Sequence, residues 1–345
     1  MREGPVRTGS PRHGSARGAR SHSVAIVGTG RMAAAHAAAW SRLGVPVGVV
    51  VSPRTRPALD DAPDARWARS LDDALSDPSV TIVSVCTPTP SHAELAIRSL
   101  AAGRNVLLEK PIALTVPDAL AVAAAAEQAP GILMVAQVVR FFDGYAALAG
   151  RVADGSVGRV RTVRASRLSA APRWASWLDD EEQSGGMVVD FAIHDFDQAN
   201  LLLGAPVAVR SIRVLGVGVD GSVAGAGAGA GAAFGTPVET TVEYAGGGIA
   251  QVLSVADLAD GFAFRSALEV IGTTGTDAVV ADDGDPFVAQ ARYFLDCIEA
   301  GVDPERCPTS AAVDALRVAL AARDSLRSGE RVVLTTEAPP PRPPS

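Results

Sequence analysis

Ser23-Val24-Ala25-Ile26-Val27-Gly28-Thr29-Gly30-Arg31-Met32-Ala33 decides the fold of the first half of the chain. Its first five residues are a short apolar run, the pattern of a buried parallel strand. The next six are a G-x-G-x-x-A turn, and an Ala-rich helix is predicted from Met32 to Leu43, with Gly44 as its C′ residue. Gly28 permits a tight turn and Gly30 lets the backbone approach a pyrophosphate, whose charge the helix N-terminus favours. Small Ala33 allows close helix–strand packing. The motif alone is weak; strand, turn and helix in this order make it a dinucleotide-binding signature. Gly28, Gly30, Arg31 and Met32 are therefore candidate cofactor contacts.

Downstream, Val45–Val51, Val80–Cys86 and Asn105–Leu108 are further buried runs, with a helix from about Ser91 to Ala102. Such β–helix repeats imply a parallel sheet that binds ligands at the carboxyl ends of its strands. Gly30, Ser52, Thr87 and Lys110 all lie at such ends. The tip of the second strand selects the cofactor, and an Asp or Glu there binds a ribose 2′-hydroxyl. This chain has Ser52, with Arg54 and Arg56 beyond it. A hydroxyl beside guanidinium groups favours a 2′-phosphate, so NADP is slightly favoured over NAD; the alternative is a solvated loop with ordinary surface arginines. Thr87, Pro88, His92, Glu109 and Lys110 complete the cofactor-binding candidates.

Lys110 is the only Lys among 31 basic residues. Exposed charges tolerate a drift from Lys to Arg, because they contribute little specific energy. A site that needs a compact ammonium does not. Chance survival of one Lys is the alternative.

In the second half, Ser184-Gly185-Gly186 precedes an apolar stretch from Met187 to Leu203 closed by Gly204. Read as a helix, it places Asp190, His194 and Asp197 on one face at i, i+4 and i+7. Buried ionisable groups must be paired or functional. His194 suits proton transfer near neutral pH, and a carboxylate one turn away can orient it; a structural Asp–His pair has the same spacing. His36 and His92 read as structural. Arg159–Leu168, Val207–Val219, Val238–Tyr244 and Ile249–Ala256 read as strands of a largely antiparallel or mixed sheet. Two helices close the chain, Phe287–Ala300 and about Ala311–Leu326, the second capped by Thr309 or Ser310.

The 345 residues, 48 % apolar and 20 % charged, are enough for two packed domains. A net charge of −7 argues against a nucleic-acid partner. No uninterrupted apolar run reaches membrane-span length. Residues 1–22, with five Arg among Gly, Ser and Pro, read as a flexible arm or as the product of a start codon set too far upstream. Gly221–Gly235 reads as a flexible Gly/Ala excursion, and residues 336–345 as a Pro-rich tail. Three Cys without a CxxC pair indicate neither disulfides nor a metal site, and suit a reducing cytoplasm.

The chain resembles the Gfo/Idh/MocA family over about residues 23–335. The likeness rests on the Gly28-x-Gly30 turn, Thr87-Pro88 with His92, Glu109-Lys110-Pro111, Arg140-Phe141, and Ser184-Gly185-Gly186 followed by Asp190 and His194. The wording Ile193-His194-Asp195-Phe196-Asp197 is most similar to the inositol-dehydrogenase branch. The resemblance implies an α/β Rossmann domain at 23–143, then an α+β domain at 144–335 with an open, mostly antiparallel sheet for substrate binding and homodimer or homotetramer assembly. It implies hydride transfer between NAD(P) and a secondary alcohol or ketone of a sugar or cyclic polyol. By position, Lys110 would touch nicotinamide ribose and substrate hydroxyl, His194 would be the acid/base, and Asp190 its partner. Ala33 and Ser52 depart from the family's common Gly and Asp. A cofactor-binding regulator without turnover, or a glycosidase or lyase using the nicotinamide transiently, are the alternatives. Substrate choice is expected to lie in loops such as Arg167–Glu182.

Overall fold

The computed structural model describes residues 22–54, 59–172, 175–214, 216–217, 223–224, 234–281 and 284–334. The expectations for residues 1–21, Arg56, 225–233 and 335–345 lie outside the described residues.

β1 (Ser23–Val27), β2 (Val47–Val51), β3 (Arg66–Ala68), β4 (Val80–Val85), β5 (Asn105–Glu109) and β6 (Leu133–Ala136) form one parallel sheet in the order β3-β2-β1-β4-β5-β6. The crossovers carry α1 (Arg31–Arg42), α2 (Leu71–Leu75), α3 (His92–Ala101) and α4 (Val116–Gln128). Strand order reverses at β1, between β2 and β4, which opens a crevice at the strands' carboxyl ends. β3 and β6 carry no periodic signal in the sequence: one has three residues and the other four, too few for a period to show. Alternation along β1 feeds two cores. Ala25 and Val27 face one side, while Val24 and Ile26 pack with Ala33, Ala37 and Trp40 of α1 on the other.

The second sheet holds β7 (Val160–Ala170), β8 (Pro206–Arg213), β11 (Val238–Tyr244), β12 (Ile249–Leu258), β13 (Arg265–Gly272), β14 (Thr276–Val280) and β15 (Val332–Val333), with a separate two-residue pair of β9 (Gly216–Val217) and β10 (Val223–Ala224). Its order is β14-β13-β7-β12-β11-β8-β15, antiparallel except for β7 with β12, and it does not close. Around it run α5 (Asp143–Ala153), α6 (Glu181–Ser184), α7 (Ile193–Leu203), α8 (Pro286–Ala300) and α9 (Thr309–Ser328). α7 packs on β7 and α9 on β8, so the two helices cover one sheet face. α8 instead returns to α1: Ala291 and Phe294 join the core that holds Val24 and Trp40.

Two local expectations are corrected. α9 begins at Thr309 with Pro308 as N-cap and no side-chain cap, because extended Pro308 turns directly into the helix. The stretch from Met187 is not one regular helix. Met187–Phe191 is a π-helical turn, and α7 starts only at Ile193.

Candidate active site

At the end of β1, Gly28 has φ +117°, and a Cβ there would lie 2.5 Å from the Cys86 carbonyl oxygen that closes β4. Only glycine allows this approach. Gly30 caps α1 without a side-chain hydrogen bond, and a Cβ on it would meet nothing within 4 Å. The helix field therefore opens into free space, and the residues fit a dinucleotide pyrophosphate. Arg31 is exposed and Met32 half-buried at that helix start.

Ser52 follows β2 and is buried, its carbonyl accepting from Trp67 Nε1 at 3.0 Å. Arg54 beyond it is exposed. Ser52, Pro53 and Arg54, the described residues at this tip, include no carboxylate. After β4, Pro88 is exposed and Ser91 Oγ donates to Thr87 Oγ1 at 2.7 Å. His92 is buried between two carbonyl oxygens, Thr87 O at 2.8 Å and Pro111 O at 2.7 Å. It thereby ties the end of β4 to the turn after β5. Burial pushes its imidazole toward the neutral form, against the pull of the two carbonyls.

Lys110 follows β5, and its Nζ donates to the Asp190 carbonyl at 2.7 Å and to Asp190 Oδ1 at 2.9 Å. Glu109 faces inward. Its Oε2 accepts from the Lys110 backbone N–H at 3.1 Å, and its Oε1 lies 2.9 Å from His36 Nε2 on α1. Burial opposes the His36 charge, but Cys86 and the Glu109 carboxylate outweigh it and push the imidazole up to about 10. So Glu109, expected among the cofactor contacts, is placed behind Lys110 with both oxygens engaged from within the fold.

Gly185 and Gly186 lead from α6 into the π-turn with φ of +80° and +72°. A Cβ on Gly185 would come within 2.5 Å of Val189. The turn carries Asp190 to Lys110, and α7 then presents His194. The wider π spacing undoes the predicted common face: Asp190 binds Lys110, Asp197 binds Arg140 at 2.7 Å, and the structure gives no hydrogen bond between Asp190 and His194. His194 Nδ1 is buried without a hydrogen-bond partner. Burial first, then the charges of Arg167 and Lys110, hold this imidazole well below its ordinary value.

The comparisons with known proteins give the family. A family model described as "Oxidoreductase family, NAD-binding Rossmann fold" matches residues 22–137, and a "GFO/IDH/MocA C-terminal domain" model matches residues 145–277. The chain belongs to the Gfo/Idh/MocA family. Among curated Gfo/Idh/MocA relatives, scyllo-inositol 2-dehydrogenase (NAD(+)) of Bacillus subtilis is 25 % identical over 78 % of this chain and 82 % of that protein. Inositol 2-dehydrogenase of Rhizobium meliloti is 32 % identical over 54 % of this chain and 56 % of its own length. The crystal structure of GenD2 from gentamicin A biosynthesis in complex with NAD has a TM-score of 0.80 at 25 % identity, covering 96 % of this chain and 100 % of that one.

As a Gfo/Idh/MocA oxidoreductase, the chain uses NAD or NADP. Among the described residues no group of three His, Cys, Asp or Glu could hold a metal ion, and no helix is long and apolar enough to cross a membrane. In the sequence Arg140 stands only as part of a motif, and Arg167, whose Nε donates to the buried Asp195 at 2.8 Å, gives no local signal. The available signal was the pair Asp195 and Asp197 in an apolar helix. Buried carboxylates need cations, and the chain had to supply two arginines to meet them.

Proposed function

We propose that this protein transfers hydride between a nicotinamide cofactor and a secondary alcohol or ketone of a cyclic polyol or sugar, with Lys110, Asp190 and His194 as its catalytic residues. The observation that carries the reading is Lys110 Nζ held on Asp190 at the carboxyl edge of the parallel sheet, with its charge felt at the neutral His194 imidazole. The inositol dehydrogenases among the relatives support the polyol class.

Gly28, Gly30 and the start of α1 would hold the cofactor's pyrophosphate, and Ser52 and Arg54 would meet its adenosine ribose. Bound there, the nicotinamide would supply hydride acceptance and donation. His194, kept neutral, takes the substrate hydroxyl proton in oxidation and returns it in reduction. Lys110 offers a preorganised ammonium to the oxygen where negative charge develops. Asp190 aims Lys110, which differs from the role of imidazole partner expected from spacing. Without a carboxylate at the tip of β2, NADP is bound at least as well as NAD.

The division near residues 143 and 144, the cytoplasmic setting suggested by three free, buried thiols, and a homodimer or homotetramer complete the proposal. The test is a panel of inositols and sugars with each cofactor, followed at the reduced-nicotinamide absorbance. Turnover of at least one cyclic polyol or sugar is expected. Cofactor binding without turnover of any would favour a regulator, and product without net nicotinamide change would favour transient use of the cofactor.

A further inference from the structure

Lys110 engages Asp190, and among the described residues no carboxylate is hydrogen-bonded to the imidazole of His194. A buried ion pair grips the segment around it instead. Arg167, on β7, donates from Nε to Asp195 Oδ2 at 2.8 Å and from Nη2 to Asp195 Oδ1 at 2.9 Å. Arg167 is 3 % exposed and Asp195 0 %. The same guanidinium lies 5.8 Å from the ring centre of Phe191 and 5.6 Å from that of Phe264. Phe191 precedes His194 by three residues and Asp195 follows it directly. One planar side chain on the sheet thus holds both flanks of the imidazole, using the fork geometry that an ammonium lacks.

The charges that act on His194 are those of Arg167 on β7 and Lys110 after β5. The elements packed on α7 and the π-turn also carry Asp190 and Asp195, the Arg140–Asp197 pair, Tyr145 on α5, bonded to Ser266, and Asp314, Arg317, Arg323 and Asp324 on α9.

We propose that Arg167 and Asp195 are positioning residues for His194: the pair pins the first turn of α7 to β7 and sets a fixed cation, balanced by a fixed anion, beside the imidazole. This rests on the reading of His194 as the acid/base. Burial and the Arg167 charge both push His194 toward its neutral form, the form a base must have. Removing the cation makes the ring easier to protonate. Removing the anion leaves the cation uncompensated and makes it harder.

The experiment follows the His194 imidazole by NMR of the histidine-labelled full chain across pH, together with the acid limb of kcat/KM. It compares wild type with Arg167→Gln, Asp195→Asn and the double variant. Arg167→Gln should move both readouts up by about one pH unit, Asp195→Asn should move both down, and the double variant should return toward wild type. Arg167→Lys, which keeps the charge and loses the fork, should leave the limb in place and lower kcat; it serves should Arg167→Gln fail to fold. Shifts in one common direction, or none in either single variant, overturn the proposal. So does an acid limb that moves with Arg167→Lys as much as with Arg167→Gln. Wild-type turnover in His194→Gln overturns the acid/base reading itself, a result that no titration of His194 can mimic.

Discussion

Lys110 Nζ spends two hydrogen bonds on one residue, the Asp190 carbonyl and its Oδ1. A guanidinium is planar and longer, so it displaces its charge when the backbone stays put. Lys110→Arg should lower kcat by about 10²-fold, the scale of an ångström's misplacement, with little change in melting temperature. Steady-state rates and thermal denaturation check this, and near wild-type turnover would remove Lys110 from the chemistry. Ser52 is the second residue whose identity decides a property. Ser52→Asp places a carboxylate at the end of β2, facing any 2′-phosphate. At about 4 Å such a pair repels by about 1–4 kcal/mol across surface dielectrics, so the ratio of NADP to NAD dissociation constants should rise at least about fivefold. Equal affinities before and after would show that the tip of β2 does not touch the ribose.

Two elements give these residues their places. The π-turn Met187–Phe191 depends on Gly185, whose φ of +80° and 2.5 Å clearance to Val189 exclude any side chain. Gly185→Ala should cost about 1–3 kcal/mol through strain and overpacking. It should also lower kcat, because Asp190 shifts with the turn; calorimetry and rates read the two effects separately. The tie between α1 and β5 has its own pH signature. His36 titrates near 10 when folded, above its unfolded value of 6.5. Its contribution is therefore full below pH 6.5 and is lost as pH rises through about 10. Melting temperature should fall across that window in wild type, and His36→Gln should flatten the dependence. An identical pH profile in both proteins would contradict the buried His36–Glu109 ion pair.

At the scale of the whole molecule, the second sheet has a helix-covered face and an open one. Alternation along β12 turns Ala250 and Val252 inward and leaves Ile249 and Leu253 outward, with Ile212 of β8 and Val280 of β14 also exposed. We propose this face as the surface through which copies of the chain associate. If copies of this chain assemble through it, Leu253→Glu with Ile212→Glu should shift light-scattering mass to the monomer while circular dichroism stays unchanged. An unaltered mass would place the interface elsewhere.

Much of the fold was legible because its signals are local. The Ser23–Ala33 turn needs glycine for steric reasons that hold in any context, and buried strands such as Val80–Val85 announce themselves by continuous apolar runs. The solitary Lys110 and the apolar helix around His194 likewise point to the site from the chain alone. What remained hidden is who meets whom. Spacing on an ideal helix joined Asp190 to His194, but the π-turn, set by the two glycines before it, delivers Asp190 to a lysine 80 residues away. Glu109, a candidate ligand contact in the sequence, faces His36 across 73 residues. Arg140 stood in a motif and Arg167 at the edge of a loop, and nothing in the sequence paired them with Asp197 and Asp195. Local backbone preference is written in neighbouring residues. The pairing of buried charges is decided only when the chain closes, because a buried carboxylate takes whichever cation the packing brings within reach.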